Sequence, residues 1–174
     1  MALRPGRCYR RPHRPYTRIS SRKPRQSYVK GVAKPKIQQY QTRGAKPGDY
    51  PEALYLVAQG NVQIRDNALE AARVLVVRIL ENDIGKAGYF FKLRVYPHHV
   101  LRENPLATGA GADRFQQGMR QSFGKPIGVA AQVKPGQHLM EVRVANAYKS
   151  VARKALNGAR YKLPVRCKVI AESR

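Results

Sequence analysis

Two segments of the chain carry apolar residues at the three- and four-residue spacing of an amphipathic α-helix. In residues 66–81 the apolar residues that follow this spacing are Ala68, Leu69, Ala72, Leu75, Val76, Ile79 and Leu80. In residues 146–161 they are Tyr148, Val151, Ala152, Ala155, Leu156 and Ala159, and Pro164 follows as a stop. Each spacing places the apolar side chains on one stripe, so the pattern predicts two helices that each bury one face.

Five shorter segments are continuously apolar or alternate between apolar and polar residues, which is typical of β-strands. They are residues 53–58, 89–96, 127–133, 139–144 and 165–171. The turn sequence at residues 134–137 predicts that the third and fourth segments form a hairpin. The order of elements predicts an α/β (α+β) two-layer sandwich, in which a mainly antiparallel sheet packs against two helices on one face.

Between Pro97 and Pro126 no helix or strand period is sustained. Loops longer than about 12–15 residues are uncommon in compact domains and are usually functional or disordered. Arg102, Arg114, Arg120 and Lys125 could contact phosphates, while Gln116 and Gln117 could read base or ribose edges. The apolar side chains Phe115, Met119 and Phe123 have no visible core partner. We therefore expect residues 97–126 to be a functional loop ordered against RNA, rather than a disordered insertion.

The first 48 residues contain 14 Lys and Arg and no acidic residue, within a chain of net charge +24. Such a segment repels itself and cannot build a core, so it predicts an arm that binds a polyanion. Prolines at positions 5, 12, 15 and 24 favour a semi-extended arm, and Tyr9, Tyr16 and Tyr28 could stack on bases. The sequence therefore divides into a basic extended arm, residues 1–48, and one sandwich domain, residues 49–174. The arm's candidate RNA-binding residues are Arg4, Arg7, Arg10, Arg11, Arg14, Arg18, Arg22, Lys23 and Arg25.

The polar face of the second predicted helix carries only cations and neutral polar residues. Its members are Lys149, Ser150, Arg153, Lys154, Asn157 and Arg160. A surface helix usually mixes charges because opposite pairs one turn apart stabilise it. We therefore interpret this face as a second nucleic-acid contact, with Lys149, Arg153, Lys154 and Arg160 as binding residues.

The sequence offers little support for catalysis, cofactors or metal binding. Cys8 and Cys167 lack the spacing of a zinc site, and adjacent His98 and His99 would point apart on an extended chain. The ten acids form no cluster for magnesium. We expect no small-molecule substrate, no membrane span, a buried Cys167 thiol and a reducing cytoplasmic setting.

Three ordered motifs make the chain similar to a family of large-ribosomal-subunit proteins. They are residues 4–10 (RPGRCYR), residues 94–102 (RVYPHHVLR), and residues 111–120 (GADRFQQGMR) followed by Gly-Lys-Pro at 124–126. The chain resembles the archaeal and eukaryotic branch of this universal family, called "L ten-e", which is related to bacterial "L sixteen". The resemblance extends from Arg4 to the final predicted strand.

The resemblance implies a non-catalytic sandwich seated on large-subunit ribosomal RNA, near the base of the central protuberance and beside other ribosomal proteins. It implies that Arg94, His98 and His99 belong to the RNA-binding set. It also implies that the loop points toward the peptidyl transferase centre and its tRNA. The loop residues assigned to that position are Asp113, Arg114, Gln116, Gln117, Gly118, Met119, Arg120 and Lys125.

Two alternatives to a ribosomal protein follow from the residues alone. A free-standing RNA-binding or chromatin-like protein would carry the same basic arm and helix face. An RNA-modifying enzyme would use the long loop as a lid. Co-sedimentation with ribosomes separates the first alternative from the ribosomal hypothesis, and turnover on purified RNA would be required for the second.

Overall fold

A computed structural model describes residues 3–12, 22–26, 29, 32, 34–42, 46–106, 109–111, 116, 118–120 and 122–173. The strands are β1 (Glu52–Ala58), β2 (Val62–Arg65), β3 (Tyr89–Leu93), β4 (His99–Glu103), β5 (Lys125–Val133), β6 (His138–Val144) and β7 (Cys167–Ser173). The helices are α1 (Asp66–Asp83) and α2 (Lys149–Arg160). The prediction of two helices within an α+β sandwich is confirmed.

The strands form two antiparallel sheets where the sequence predicted one. The main sheet has the order β3-β6-β1-β7, and the second sheet has the order β2-β5-β4. Strand β1 lies inside the main sheet, because Leu54 pairs with Val142 of β6 on one side and with Ala171 of β7 on the other.

The predicted hairpin between residues 127–133 and 139–144 is wrong. These segments lie in β5 and β6, which belong to different sheets. The turn between them is held by the end of β1: the Gly136 amide donates to the Ala58 carbonyl at 2.8 Å, and the Ala58 amide donates to the Gln137 carbonyl at 3.0 Å. Gly136 has a φ of +80°, a conformation that glycine adopts without steric cost. The turn therefore directs the chain from one sheet into the other.

Two short strands were missed, and one of them lies inside the segment predicted to be a loop. Strand β4 occupies residues 99–103 and pairs with β5, so the connection proper is residues 104–124. His99, Val100 and Leu101 are all buried, so β4 shows no alternation for a periodicity argument to find. Strand β2 has only four residues, of which Val62 and Ile64 are apolar.

The two helices and the main sheet enclose one apolar core. Helix α1 contributes Leu69, Ala72, Val76 and Leu80, and α2 contributes Ala152, Ala155, Leu156 and Ala159. These stripes join Leu54, Leu56, Met140 and Val142 of the sheet in the same cluster. The helices approach closely at Gly158, where a Cβ atom would lie 2.8 Å from Leu75 Cδ2. The core therefore fixes the rotation of α2 about its axis.

Two details of the predicted elements are resolved by the structure. Tyr148 lies in a 3-10 turn, Asn146–Tyr148, ahead of α2 and is 39% exposed, so it does not belong to the buried stripe.

Cys167 is buried as predicted, and this burial raises the pKa of its thiol, whereas Cys8 is exposed. Both cysteines are free.

The end of the predicted arm contributes to the main sheet. The Leu93 amide of edge strand β3 donates to the Tyr40 carbonyl at 2.7 Å, and the Thr42 amide donates to the Phe91 carbonyl at 3.0 Å. Ile37 is buried in the main core. The division of the chain at residue 48 stays a prediction.

Candidate nucleic-acid interface

Helix α2 presents its cations to solvent because its apolar stripe is locked in the core. Arg153, Lys154 and Arg160 are exposed, on the side opposite the buried Ala152 and Leu156. The sequence-based assignment of Arg153 and Lys154 to the polar face is confirmed. The arrangement directs fixed positive charge outward from a rigid element, which suits phosphate contact.

A groove of about 830 Å³ runs along this face of α2. It is lined by Asn146, Ala147, Lys149, Ser150, Arg153, Lys154, Asn157, Gly158 and Tyr161. We call this surface the α2 groove. Two of its members are held within the protein: Lys149 Nζ lies 2.8 Å from Glu52 Oε2, and Asn157 Oδ1 accepts a 3.3 Å hydrogen bond from Arg160. Arg153 and Lys154 are therefore the groove's main outward charges.

The beginning of the arm docks on the second sheet. Residues Gly6–Tyr9 form a 3-10 turn, and the backbone amide of the buried Gln63 of β2 donates to the Arg10 carbonyl at 2.9 Å. Arg65 donates to the Arg4 carbonyl at 2.9 Å, and its guanidinium lies 5.6 Å from the centroid of the Tyr9 ring. This docking leaves several arm cations exposed, namely Arg7, Arg10, Arg11, Arg22, Lys23 and Arg25. Arg14 and Arg18 lie outside the described residues.

Glu103 joins the arm to the end of strand β4. Its Oε1 lies 2.6 Å from Arg4 Nε, and its Oε2 accepts a 3.2 Å hydrogen bond from the Tyr9 hydroxyl. Partial burial and this carboxylate raise the pKa of Tyr9. Because residue 104 begins the long connection, Glu103 links the first turn of the arm to the base of the loop. Arg4, a predicted RNA-binding residue, therefore has an acidic partner within the chain.

Some residues of the motif at 94–102 are exposed to solvent, and others are buried. Arg94 Nη1 lies 3.0 Å from Glu141 Oε2, and Arg143 Nε lies 2.6 Å from Glu141 Oε1. Glu141 is only 2% exposed, so these two arginines balance a buried carboxylate. His98 is exposed and His99 is buried, as expected for adjacent residues on an extended chain.

An aromatic stack extends from the core toward His98. Tyr96 stacks on Tyr40 with ring centroids 5.3 Å apart, and His98 lies tilted against Tyr96 at 4.6 Å. Burial, with smaller contributions from nearby Tyr96 and acidic side chains, raises the pKa of Tyr40 to about 12. The stack holds the His98 ring at the surface beside Arg94.

Most of the loop residues that the structure describes are exposed. Met119 is 68% exposed and Phe123 is 65% exposed, so neither packs in the core, as predicted. The Arg102 guanidinium lies 3.9 Å from the centroid of the Phe123 ring at the loop base. Gly118 has a φ of +60°, Arg120 and Lys125 are exposed, and Gln116 is half-buried. Asp113, Arg114 and Gln117 lie outside the described residues.

The sequence-based assignment missed Tyr161, which lines the α2 groove, and Arg65, which lies in a neighbouring cleft. Tyr161 is 90% exposed, and Arg65 lines a smaller cleft next to it. Tyr161 is an aromatic residue that lies outside the apolar stripe of the second predicted helix. That position could have indicated from sequence that its side chain is exposed. Arg65 offered no comparable signal, because its position depends on the pairing of the missed strand β2.

Metal binding and membrane insertion find no support within the described ranges. No group of three or more His, Cys, Asp or Glu side chains there could hold a metal ion. None of the helices in that part of the chain is long and apolar enough to cross a membrane.

Comparison with known proteins gives consistent results along the whole chain. Residues 16–170 match the family described as "Ribosomal protein L16p/L10e". Three similar proteins are each named "Large ribosomal subunit protein uL16". That of Methanococcus aeolicus is 44% identical over 98% of this chain and 94% of its own length. That of Archaeoglobus fulgidus is 45% identical over 99% of this chain and 94% of its own length. That of Staphylothermus marinus is 48% identical over 98% of this chain and 94% of its own length. The chain therefore belongs to the ribosomal protein L16p/L10e family, as its sequence motifs predicted, and this is a family of ribosomal proteins rather than of enzymes.

Proposed function

We propose that this protein is a structural constituent of the large ribosomal subunit, acting at the ribosome in the cytoplasm, and that it binds large-subunit ribosomal RNA. The observation that carries the proposal is the cationic face of α2, whose outward direction is fixed by the buried stripe beneath it. Family membership supports the ribosome as the site of action. Neighbouring large-subunit proteins are expected as further partners.

Three basic surfaces support RNA as the partner. They are the α2 groove, the exposed cations of the arm, and Arg94 with His98 at the end of the aromatic stack. RNA backbone contacts would supply most of the affinity, and exposed aromatic rings would add contacts to unpaired bases. His99 is buried, so we assign RNA contact in that motif to His98 and Arg94.

We further propose that the loop of residues 104–124 reaches the tRNA bound near the peptidyl transferase centre. The loop leaves the second sheet between paired strands β4 and β5, and its described apolar side chains add nothing to the core. Arg120 supplies exposed positive charge within the loop, and Lys125 supplies it where the loop enters β5. A segment with these properties is free to contact a partner without loss of fold.

Reversing two charges in the α2 groove tests the RNA-binding proposal. The double variant Arg153→Glu and Lys154→Glu should fold normally, because both side chains are exposed. Its binding to large-subunit RNA should fall by about 100-fold at low salt, since two phosphate contacts become repulsive. Binding is measured by filter retention across a salt series, and incorporation is measured by co-sedimentation with large subunits.

The matched control reverses Lys86 and Lys134, which are exposed but lie outside the α2 groove. The same change of net charge there should weaken binding much less. Equal losses in the two double variants would mean that only net charge matters, and that the α2 groove is no specific contact.

Replacing residues 113–120 with a Gly/Ser linker tests the tRNA proposal. The free variant should melt within about 2 °C of the parent protein, because Gly118, Met119 and Arg120, which the structure describes in this segment, are exposed and such positions contribute little stability. It should still join large subunits through the arm and α2. Subunits carrying it should synthesise peptide more slowly or bind tRNA more weakly. Normal peptide synthesis by subunits that have fully incorporated the variant would contradict the tRNA proposal. A large drop in melting temperature would mean that the loop packs against the core.

A further inference from the structure

We propose that Tyr161 is a stacking platform for an unpaired RNA base, and that a single-stranded segment crosses this ring between α2 and the arm. The inference rests on the proposed RNA-binding function and adds the form of nucleic acid that this surface takes. It also assigns a role to a side chain that lies outside the three family motifs.

The first observation is that Tyr161 projects from a rigid site. The residue is 90% exposed, yet its backbone directly follows α2 and remains hydrogen-bonded. The Tyr161 amide donates to the Gly158 carbonyl at 3.3 Å, and the Leu163 amide donates to the Arg160 carbonyl at 3.2 Å. Leu163 is itself buried in the main core. Because the backbone is already fixed and a tyrosine side chain has only two χ angles, stacking a base on this ring orders few torsions.

The second observation is that two concave surfaces meet at this ring. On one side lies the α2 groove, and on the other lies a cleft of about 260 Å³ that includes Gly6 of the arm. Tyr161 lines both. A chain that follows the protein surface from α2 to the docked arm therefore passes over the Tyr161 ring.

The third observation is the charge of the two surfaces. Arg153 and Lys154 line the groove, and Arg65 and Lys162 line the cleft. Among the described residues that line either surface, none is acidic. Cations on both sides of an aromatic ring match a phosphate backbone whose base stacks between them. A duplex would not use the ring, since its bases are already stacked on one another, so the occupant is single-stranded.

The test compares two probes that share a backbone. The full-length protein is titrated with a fluorescent ten-nucleotide oligoadenylate and with an abasic oligonucleotide of the same length, at one moderate salt concentration. Tyr161→Ala should weaken oligoadenylate binding by about tenfold, the usual effect of losing one stacked base. It should leave binding of the abasic probe unchanged. Tyr161→Phe should bind both probes as the parent protein does, because the ring remains.

Tyr148→Ala is the matched control, because Tyr148 is also an exposed tyrosine next to α2 but does not line the α2 groove. It should bind both probes normally. Equal losses of Tyr161→Ala on the two probes would overturn the proposal, since they would show that the bases are not involved. An unchanged affinity for oligoadenylate would overturn it as well.

The charge-reversed variant separates this proposal from the broader one. If Arg153→Glu with Lys154→Glu weakens binding of both probes while Tyr161→Ala has no effect, the stacking proposal fails and RNA binding by α2 stands. If neither variant weakens binding, both proposals fail. Large subunits assembled with 4-thiouridine RNA give an independent readout. A crosslink at Tyr161 supports stacking, whereas crosslinks confined to Arg153 and Lys154 would contradict it.

Discussion

Deleting residues 1–25 should weaken RNA binding and flatten its dependence on salt. The segment holds nine of the chain's cations, and one of them, Arg4, is ion-paired to Glu103. If the other eight each contact a phosphate, the slope of log affinity against log salt should shrink by about 7 on duplex RNA, or by about 6 on single strands. The measurement is filter binding between about 50 and 200 mM salt, with large-subunit RNA as ligand.

The deletion also removes contacts to the fold, so a second variant isolates charge. The arm contributes hydrogen bonds to Gln63 and Arg65 and an ion pair to Glu103, and these are lost with residues 1–25. A variant that keeps Arg4 and replaces the other eight cations by Gln retains these contacts. Both variants should show the same flattened slope. A parental slope in the charge-only variant would mean that the arm does not contact phosphates.

The substitution Leu156→Ala should strongly destabilise the free protein. Leu156 is fully buried beneath the cationic face of α2, in the core shared with α1 and the main sheet. Truncating such a side chain costs about 2–5 kcal/mol, through lost burial and the cavity left behind. That loss is a large fraction of the roughly 5–15 kcal/mol that stabilises a typical domain. Urea unfolding of the free protein measures it.

The matched control is Lys154→Ala, on the exposed side of the same helix. Its effect should stay within about 0.5 kcal/mol, as for most surface substitutions. A loss below about 1 kcal/mol for Leu156→Ala would contradict the docking of α2 in the free protein. The α2 groove would then form only when RNA is bound.

The helices were predictable because their apolar spacing is long and regular, whereas the second sheet was not. Leu69, Ala72, Val76 and Leu80 repeat over about three turns, and no strand pattern can imitate that. Strand β2 offers only two apolar residues, and β4 is buried on both faces at Val100 and Leu101. The hydrogen bonds of Gly136 and Gln137 to Ala58 are tertiary contacts, so a local turn signal predicted a hairpin that does not form.

The same distinction applies to the candidate interface. The outward direction of Arg153 and Lys154 follows from the apolar stripe on their own helix, so it could be predicted from the sequence alone. The acidic partners of Arg4, Arg94 and Lys149 lie far along the chain, and only the folded structure brings them together. The exposure of Tyr161 depends on where α2 ends against the core, which the sequence places only to within a few residues.

The central place of β1 in the main sheet has a consequence for folding during synthesis. Its neighbours are β6 and β7, so Glu52–Ala58 must wait for residues 138–144 and 167–173 before either edge is filled. Such non-local pairing delays folding, because the intervening chain must be closed first. The polycationic arm therefore leaves the translating ribosome long before its own domain can form. We expect stalled nascent chains that end at residue 137 to be digested by protease within segment 52–58, and released full-length chains to resist.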